Sequence, residues 1–218
     1  MAGLSACSTA TRSSSALQPD WPSVATGNAG VIPRPGIAPA TVVDPRFANV
    51  AARTSWTTML PDSKGMNQMT PIRSVTVHHD GLPSPLASTR SRDAQDRLRT
   101  IRRGHVNHNG WADIGYHFAI DRSGRVWSCR PLVWQGAHVK DRNEGNIGVL
   151  VLGNFEIERP TSAQLNALAI HLKTLVAAYR IPQRKVYTHR EWPGAATACP
   201  GRNLQPAVNR IRAQGLVA

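Results

Sequence analysis

The chain has 218 residues, enough for one domain with a substantial core, and 41% of them are hydrophobic, which excludes wholesale disorder. No run of about 18 apolar residues occurs, so the sequence predicts no membrane-spanning helix. Twenty-six Lys and Arg against 13 Asp and Glu give a formal charge of +13. That balance favours an anionic polymer as partner, such as a nucleic acid or a cell wall, although it also serves general solubility. Three cysteines are too few for a disulfide framework.

The first 50 residues differ in composition from the rest of the chain. They are rich in Ala, Ser, Thr, Pro and Gly without periodicity, which predicts a flexible leader at 1–50 ahead of one folded domain at 51–218. Leu4-Ser-Ala-Cys7 has the form of a lipoprotein cleavage box, which would make Cys7 a lipid anchor. A signal peptide needs about 7–15 apolar residues before such a box, and only Met1 to Gly3 precede it. The box is therefore either the end of a longer signal or a chance match.

The first half of the domain contains a predicted strand and a predicted helix. The run 72–78 is short and β-branched, which indicates a strand. A helix is predicted over 88–104, where apolar residues share one face: Ala94, Leu98 and Ile101. The remaining surface of this helix carries six arginines, which form either a solvated face or a docking surface for anions. A hairpin is predicted from strands at 116–121 and 125–129, with Gly124 in its turn.

The second half of the domain is predicted to contain the centre of a sheet and two more helices. The apolar run 147–152 is typical of a strand covered on both faces. Thr161-Ser-Ala-Gln164 is a capping box that begins a helix, and Pro182 follows its end. On that helix His171 is expected on the solvated side. A strand at 185–188 and a last helix complete one α/β domain, a central mixed sheet flanked by helices.

Three residues form a candidate metal site. His189 and Cys199 bracket a loop of Pro, Gly and small residues that can fold back on itself, and both residue types suit zinc. One His and one Cys do not make a site, and they could equally be a core histidine and an inert thiol. His78, at the end of the first strand, is the candidate third ligand. Strand alternation allows only one of His78 and His79 to face the metal. Two His and one Cys leave a fourth position for water, as in catalytic zinc sites.

A series of motifs follows in a fixed order along the chain. They are Val77-His-His-Asp-Gly81, Gly110-Trp-Ala-Asp-Ile-Gly-Tyr-His-Phe118, Gly136-Ala-His138, Asn146-Ile-Gly-Val149, His189-Arg190 and Cys199-Pro-Gly201. Together with Arg53-Thr-Ser-Trp56 this series resembles the zinc amidase family that peptidoglycan recognition proteins share with phage amidase-type lysozymes. Members of that family cleave the bond between N-acetylmuramic acid and L-alanine. The resemblance covers roughly residues 51–212 and implies a recognition-protein-like fold.

The resemblance also implies roles for individual residues. Tyr116 is placed near the zinc-bound water or the oxyanion. Thr197 is the second implied catalytic residue: the phage enzymes carry a lysine at its position and catalytic recognition proteins tend to have a threonine, whose hydroxyl can donate a hydrogen bond but supplies no positive charge. Some related amidases have a glutamate where this chain has Leu150, so that carboxylate is missing here. Five positions are implied to contact substrate: His79, Trp111, Arg130, His138 and Asn146. The alternatives are a core position for Trp111 and hydrogen bonds to the local backbone for His138 and Asn146. Arg130 is followed by Pro131-Leu132 instead of the Gly-Trp pair that accompanies diaminopimelate recognition, so we expect loose discrimination at the third stem residue.

The sequence therefore predicts a monomeric N-acetylmuramoyl-L-alanine amidase with one zinc per chain and peptidoglycan as its substrate. The alternative is a non-catalytic muropeptide-binding module, but recognition proteins that only bind typically lose the cysteine ligand, which is present here as Cys199. A nucleic-acid partner is not expected, because no helix-turn-helix or aromatic-interleaved basic motif occurs. We expect the protein in the cell envelope (periplasmic or outer-membrane associated) or secreted. Stem-peptide type and physiological role, from wall remodelling and recycling to attack on competitors or prey lysis, are left open.

Overall fold

The computed structural model describes residues 45–216. The expected leader up to residue 44, and with it the Leu4-to-Cys7 box, lies outside the described residues. Phe47 is 8% exposed, and its ring centroid lies 5.3 Å from that of Phe118. The packed part of the chain thus includes residues ahead of the boundary expected at residue 51. Between residues 45 and 216, no helix is both long enough and apolar enough to cross a bilayer.

Five strands form one mixed sheet, as the sequence predicts. In chain order they are β1 (Ser74–His79), β2 (Phe118–Ile120), β3 (Val126–Ser128), β4 (Asn146–Val151) and β5 (Val186–Thr188). Their order across the sheet is β3-β2-β4-β1-β5. The pairs β1–β4, β1–β5 and β2–β4 are parallel, and β2–β3 is an antiparallel hairpin. Because β1 and β5 are parallel neighbours, the residues that end them meet at one edge of the sheet.

Helices cover both faces of this sheet. They are α1 (Ser91–Asn107), α2 (Ser162–Tyr179) and α3 (Gln205–Ala213). Side chains of α2 and α3 share a core with alternate residues of β4, namely Ile147, Val149 and Val151. Side chains of α1 share the opposite core with Leu150 of the same strand. Burial on both faces explains why this strand is a continuous apolar run in the sequence.

The ends of two helices follow from local hydrogen bonds. The Thr161 hydroxyl accepts from the Gln164 backbone at 3.0 Å, and the Gln164 side chain accepts from the Thr161 backbone at 3.1 Å, so the predicted capping box begins α2. Helix α1 begins at residue 91, three residues later than predicted. The Ser88 hydroxyl accepts from the backbone N–H of Arg90 at 3.1 Å, and such a local bond competes with the helical conformation.

The prediction for His171 is wrong. Its side chain is 4% exposed rather than solvated, and it packs against Phe118 with 4.5 Å between ring centroids and against Phe47 at 6.0 Å. The segment that contains Phe47 lies on this side of α2, so a position that is polar by helical spacing becomes part of the core. Burial lowers the pKa of His171 to about 4.

Part of the arginine run on α1 is internal. Arg97 donates from Nε to one oxygen of Asp80 at 3.0 Å and from Nη2 to the other at 2.6 Å, with both side chains buried. Arg102 donates from Nε to the buried carboxylate of Asp113 at 2.7 Å. These two arginines join α1 to neighbouring segments, and they do not belong to a docking surface for anions.

Candidate active site

Two imidazoles and a thiol meet at the carboxyl edge shared by β1 and β5. In the register of the two strands Val77 pairs with Thr188, so His78 and His189 each lie one residue beyond a paired position. Cys199 returns to the same point at the end of the following loop. The candidate ligand atoms of the three residues all lie within 4.8 Å of one another, and all three side chains are buried. The structure thus brings together the three residues that the sequence predicts as metal ligands.

Backbone hydrogen bonds fold the loop that carries Cys199. The backbone N–H of Arg190 donates to the carbonyl of Cys199 at 3.0 Å, which joins the two ends of the loop. Between them, Ala195 N donates to Trp192 O at 3.0 Å, and Gly194 has a φ of +81°, a conformation that glycine adopts without strain. These hydrogen bonds bring Cys199 next to His189 in space, although the loop separates the two residues in sequence.

The geometry and the protonation of the cluster suit a metal ion. Cys199 Sγ lies 3.6 Å from His78 Nδ1. Zinc–sulfur and zinc–nitrogen bonds of about 2.3 and 2.0–2.1 Å at a tetrahedral angle would place such atoms about 3.5 Å apart. Burial, with the neighbouring His189 and His138, lowers the pKa of His78 well below its usual value, so its imidazole is neutral. Burial raises the pKa of Cys199 to about 12, although a hydrogen bond with the His79 backbone and the charge of Arg190 oppose that rise.

Two imidazoles and a thiol that loses its proton on binding are the donor set expected of a zinc site. The three residues therefore fit the metal that the resemblance implies. A fourth, water-filled position would distinguish a catalytic site from a structural one.

Tyr116 lies beside this cluster. Its ring centroid is 5.1 Å from that of His78, and the residue is 6% exposed. Burial, followed by the nearby Cys199, raises the pKa of the phenol well above its usual value. Tyr116 therefore keeps its proton and can donate a hydrogen bond, which is the role that the resemblance implies for it.

Thr197 and Leu150 each lie next to one of the candidate ligands. The Thr197 hydroxyl accepts from the backbone N–H of Cys199 at 3.1 Å, so this side chain holds the backbone of the candidate thiolate ligand. Leu150 pairs with His78 across the sheet and is fully buried. Strand β4 consequently offers an apolar side chain, and no carboxylate, next to His78.

Two of the residues predicted to contact substrate are turned to other partners. His79 Nδ1 accepts from the backbone N–H of Phe155 at 3.1 Å, as expected for a side chain on the opposite face from His78. Arg130 is 4% exposed and donates to three backbone carbonyls, those of Ile114, Gln135 and Asp113, at 2.8, 2.6 and 3.2 Å. Arg130 therefore braces the segment that leads into Tyr116.

His138 and Asn146 are also engaged inside the protein. His138 is 1% exposed, and its two ring nitrogens each lie 3.1 Å from a partner, His78 Nε2 and the Asn146 carbonyl oxygen. The Asn146 side chain accepts from the Thr76 hydroxyl at 3.0 Å and donates to the Arg142 carbonyl at 2.7 Å. Burial, together with the neighbouring His117, lowers the pKa of His138 well below its usual value.

Two adjoining cavities lie beside the cluster. The larger, about 450 Å³, is lined by Trp111, by Trp192 and by a set of basic side chains: Arg73, Lys140, Arg142 and Lys185. The smaller, about 250 Å³, is lined by His189 and shares Trp192, Lys140 and Arg142 with the first. These basic residues and Trp192 are absent from the residues predicted from the sequence. For Trp192 a signal existed, an aromatic residue three positions after His189 in the ligand loop.

Comparison with known proteins places the chain among peptidoglycan amidases and recognition proteins. Residues 68–202 match the family described as N-acetylmuramoyl-L-alanine amidase. The human protein of that name is 32% identical over 136 residues, 62% of this chain and 23% of that protein. Peptidoglycan-recognition protein LB of Drosophila melanogaster is 31% identical over 162 residues, 72% of this chain and 66% of that protein. The chain thus spans about a quarter of the length of the mammalian relatives.

Solved structures show the same fold. Wild-type Drosophila PGRP-LB superposes with a TM-score of 0.65 at 27% identity, over 78% of this chain and 95% of that chain. A mutant of PGRP-LB in complex with tracheal cytotoxin gives the same TM-score and identity over 78% and 96% of the two chains.

Proposed function

The chain belongs to the N-acetylmuramoyl-L-alanine amidase family, and on that premise we propose that it is a zinc-dependent enzyme that hydrolyses the amide bond between N-acetylmuramic acid and L-alanine in peptidoglycan. The observation that carries the proposal is the buried set of His78, His189 and Cys199, whose ligand atoms lie within 4.8 Å of one another. A non-catalytic recognition module is the second candidate. The presence of the cysteine ligand favours the enzyme, because recognition proteins that only bind typically lack it.

The residues around the cluster have distinct tasks in the proposed reaction. A zinc ion held by His78, His189 and Cys199 would supply an activated water and a Lewis acid. Tyr116, protonated and in contact with His78, donates a hydrogen bond to the oxyanion that develops on the scissile carbonyl. Thr197 holds the Cys199 backbone and adds no positive charge, so the phenol is the main side-chain donor for that oxyanion.

The cavities give the proposed substrate a place to bind. Four basic and two acidic side chains line the larger cavity, so it is suited to the carboxylates of a stem peptide. Trp111 and Trp192 supply apolar walls, and His189 connects the smaller cavity to the candidate metal ligands. A PGRP-LB mutant of the same fold was solved in complex with tracheal cytotoxin, which supports a muropeptide as the ligand of this chain. We also propose that the protein acts in the cell envelope or outside the cell, where this polymer lies.

An assay on purified sacculi tests the proposal. Wild-type protein with zinc is expected to release peptides with new L-alanyl amino termini, to stop when a chelator removes the metal, and to recover when zinc is returned. Cys199→Ser is expected to be inactive. Cys129→Ser is its matched control, because Cys129 is also a free, buried thiol but belongs to the core under α1. Binding of sacculi without any release by wild type would instead support the recognition module.

A further inference from the structure

The two ring nitrogens of His78 face two different partners. Nδ1 lies 3.6 Å from Cys199 Sγ, on the side of the candidate metal ligands. Nε2 lies 3.1 Å from Nδ1 of His138, and Nε2 of His138 in turn lies 3.1 Å from the backbone carbonyl oxygen of Asn146. These contacts form a chain that runs from the candidate metal site to the start of β4.

The carbonyl at the end of this chain fixes where the protons lie. A carbonyl oxygen only accepts hydrogen bonds, so the proton of neutral His138 lies on Nε2. Its Nδ1 is then an acceptor, and His78 must donate to it from Nε2. The remaining nitrogen of His78, Nδ1, carries a lone pair directed toward Cys199. One backbone carbonyl thus selects the nitrogen of His78 that is free to bind a metal.

The ring of His138 is held in this orientation by close packing. It lies against two glycines, where a Cβ at Gly136 would come 2.5 Å from His138 Cδ2 and a Cβ at Gly148 would come 2.6 Å from the same atom. Neither glycine has a positive φ, so the space taken by the ring, and not the backbone conformation, is what requires glycine. The Asn146 carbonyl is fixed as well, because this residue begins β4 and its side chain bonds Thr76 and Arg142.

We propose that His138 is a positioning residue for the metal ligand His78: it accepts the Nε2 proton of His78 and thereby holds the ring with Nδ1 toward the metal. This inference rests on the proposed function, since it assumes that His78 binds zinc. It replaces the substrate contact that the resemblance implied for His138, whose ring is 1% exposed. Ligating histidines generally donate their second N–H to an oxygen acceptor; here a second histidine takes that place and passes the contact to a carbonyl.

The test compares two substitutions at position 138 in the full chain. His138→Leu removes the acceptor at roughly constant volume and is expected to weaken zinc binding about 10–100-fold, as loss of an outer-shell partner does. His138→Asn places a carbonyl oxygen close to the position of Nδ1, so it is expected to restore most of the affinity. Zinc affinity is measured by competition with a chromophoric chelator. The absorption spectrum of the Co²⁺-loaded proteins reports independently whether ligand geometry is altered in the Leu variant and restored in the Asn variant.

The outcomes separate the inference from the proposed function. If wild type does not bind zinc, both are overturned. If wild type and Cys129→Ser bind zinc but His138→Leu binds it equally well with an unchanged Co²⁺ spectrum, only the role of His138 is overturned.

A measurement on zinc-loaded wild type needs no variant and serves if His138→Leu does not fold. Long-range ¹H–¹⁵N correlation spectra of the imidazoles identify which nitrogen of each histidine carries its proton. The expected result is a proton on Nε2 of both His78 and His138. A proton on Nδ1 of either ring would overturn the inference.

Discussion

The buried His171 makes a quantitative prediction about acid stability. Its imidazole lies between α2 and the sheet against Phe47 and Phe118, and its Nε2 has no hydrogen-bond partner among residues 45–216. Protonation would place a charge in this apolar environment, which is why burial lowers the pKa of His171 from 6.5 to about 4. Between those two values the unfolded chain binds a proton at this residue that the folded chain does not. Stability is therefore lost as the pH falls below about 6.5.

The expected loss of unfolding free energy follows from the shift in the pKa of His171. Each pKa unit corresponds to about 1.36 kcal/mol, so lowering the pH from 7.5 to 4.5 is expected to remove about 2–3 kcal/mol of unfolding free energy through His171 alone. Other buried histidines contribute in the same direction, because burial also lowers the pKa of His105 and of His117 to about 3. A variant at position 171 isolates its own share.

The assay is urea unfolding of wild type and His171→Leu at pH 7.5 and pH 4.5, in the presence of a chelator so that metal binding does not contribute. The unfolding free energy of wild type is expected to fall by about 2–3 kcal/mol more than that of His171→Leu. His171→Phe removes the same titration with an aromatic ring and is expected to behave like the leucine variant. If wild type and both variants lose stability in parallel, the imidazole is not a buried neutral group and the reasoning is refuted.

Three further predictions concern the site and its support. Tyr116→Phe is expected to keep its zinc and to have a kcat lower by about 10²–10³-fold. Unchanged turnover of defined muropeptides would show that the phenol does not donate a hydrogen bond to the oxyanion. Thr161→Ala removes the hydroxyl that caps α2 and is expected to cost about 1 kcal/mol in urea unfolding at neutral pH; no loss would show that the capping box is not needed there. Turnover of Lys-type and diaminopimelate-type muropeptides is expected to differ less than about a hundredfold, roughly 2.7 kcal/mol, and a larger ratio would contradict loose discrimination at the third stem residue.

The sequence predicted the features that depend on local pattern. The five strands lie within two residues of their predicted ranges, because alternation and apolar runs report burial directly. The capping box at Thr161 and Gln164 began α2 as predicted, since its two hydrogen bonds join residues three apart. His78 and His189 were placed at strand ends by the same patterns, and a parallel pairing of β1 and β5 was enough to bring them together.

Features that depend on contacts distant in sequence were not predicted. His171 has a polar side chain at a position that becomes core only when the Phe47 segment covers it. Arg130 and His138 were implied to be substrate contacts, and the sequence did not show that each also contacts buried groups, three carbonyls in one case and a candidate ligand histidine in the other. Periodicity identifies which face of an element is buried, but it does not show which polar groups meet inside the protein. The basic lining of the larger cavity comes from separate segments and was missed for the same reason.

Zinc content and amidase activity of a matched pair of variants, His78→Asn and His79→Asn, test the central claim most directly. The two histidines are adjacent, but only His78 faces His189 and Cys199, whereas His79 accepts from the Phe155 backbone, a bond that asparagine can also accept. Zinc per chain is measured by atomic emission after dialysis, and release of L-alanyl termini is measured on the same preparations. We expect His78→Asn to lose both zinc and activity and His79→Asn to keep about one zinc per chain. A zinc-free His79→Asn beside a zinc-loaded, active His78→Asn would contradict the account.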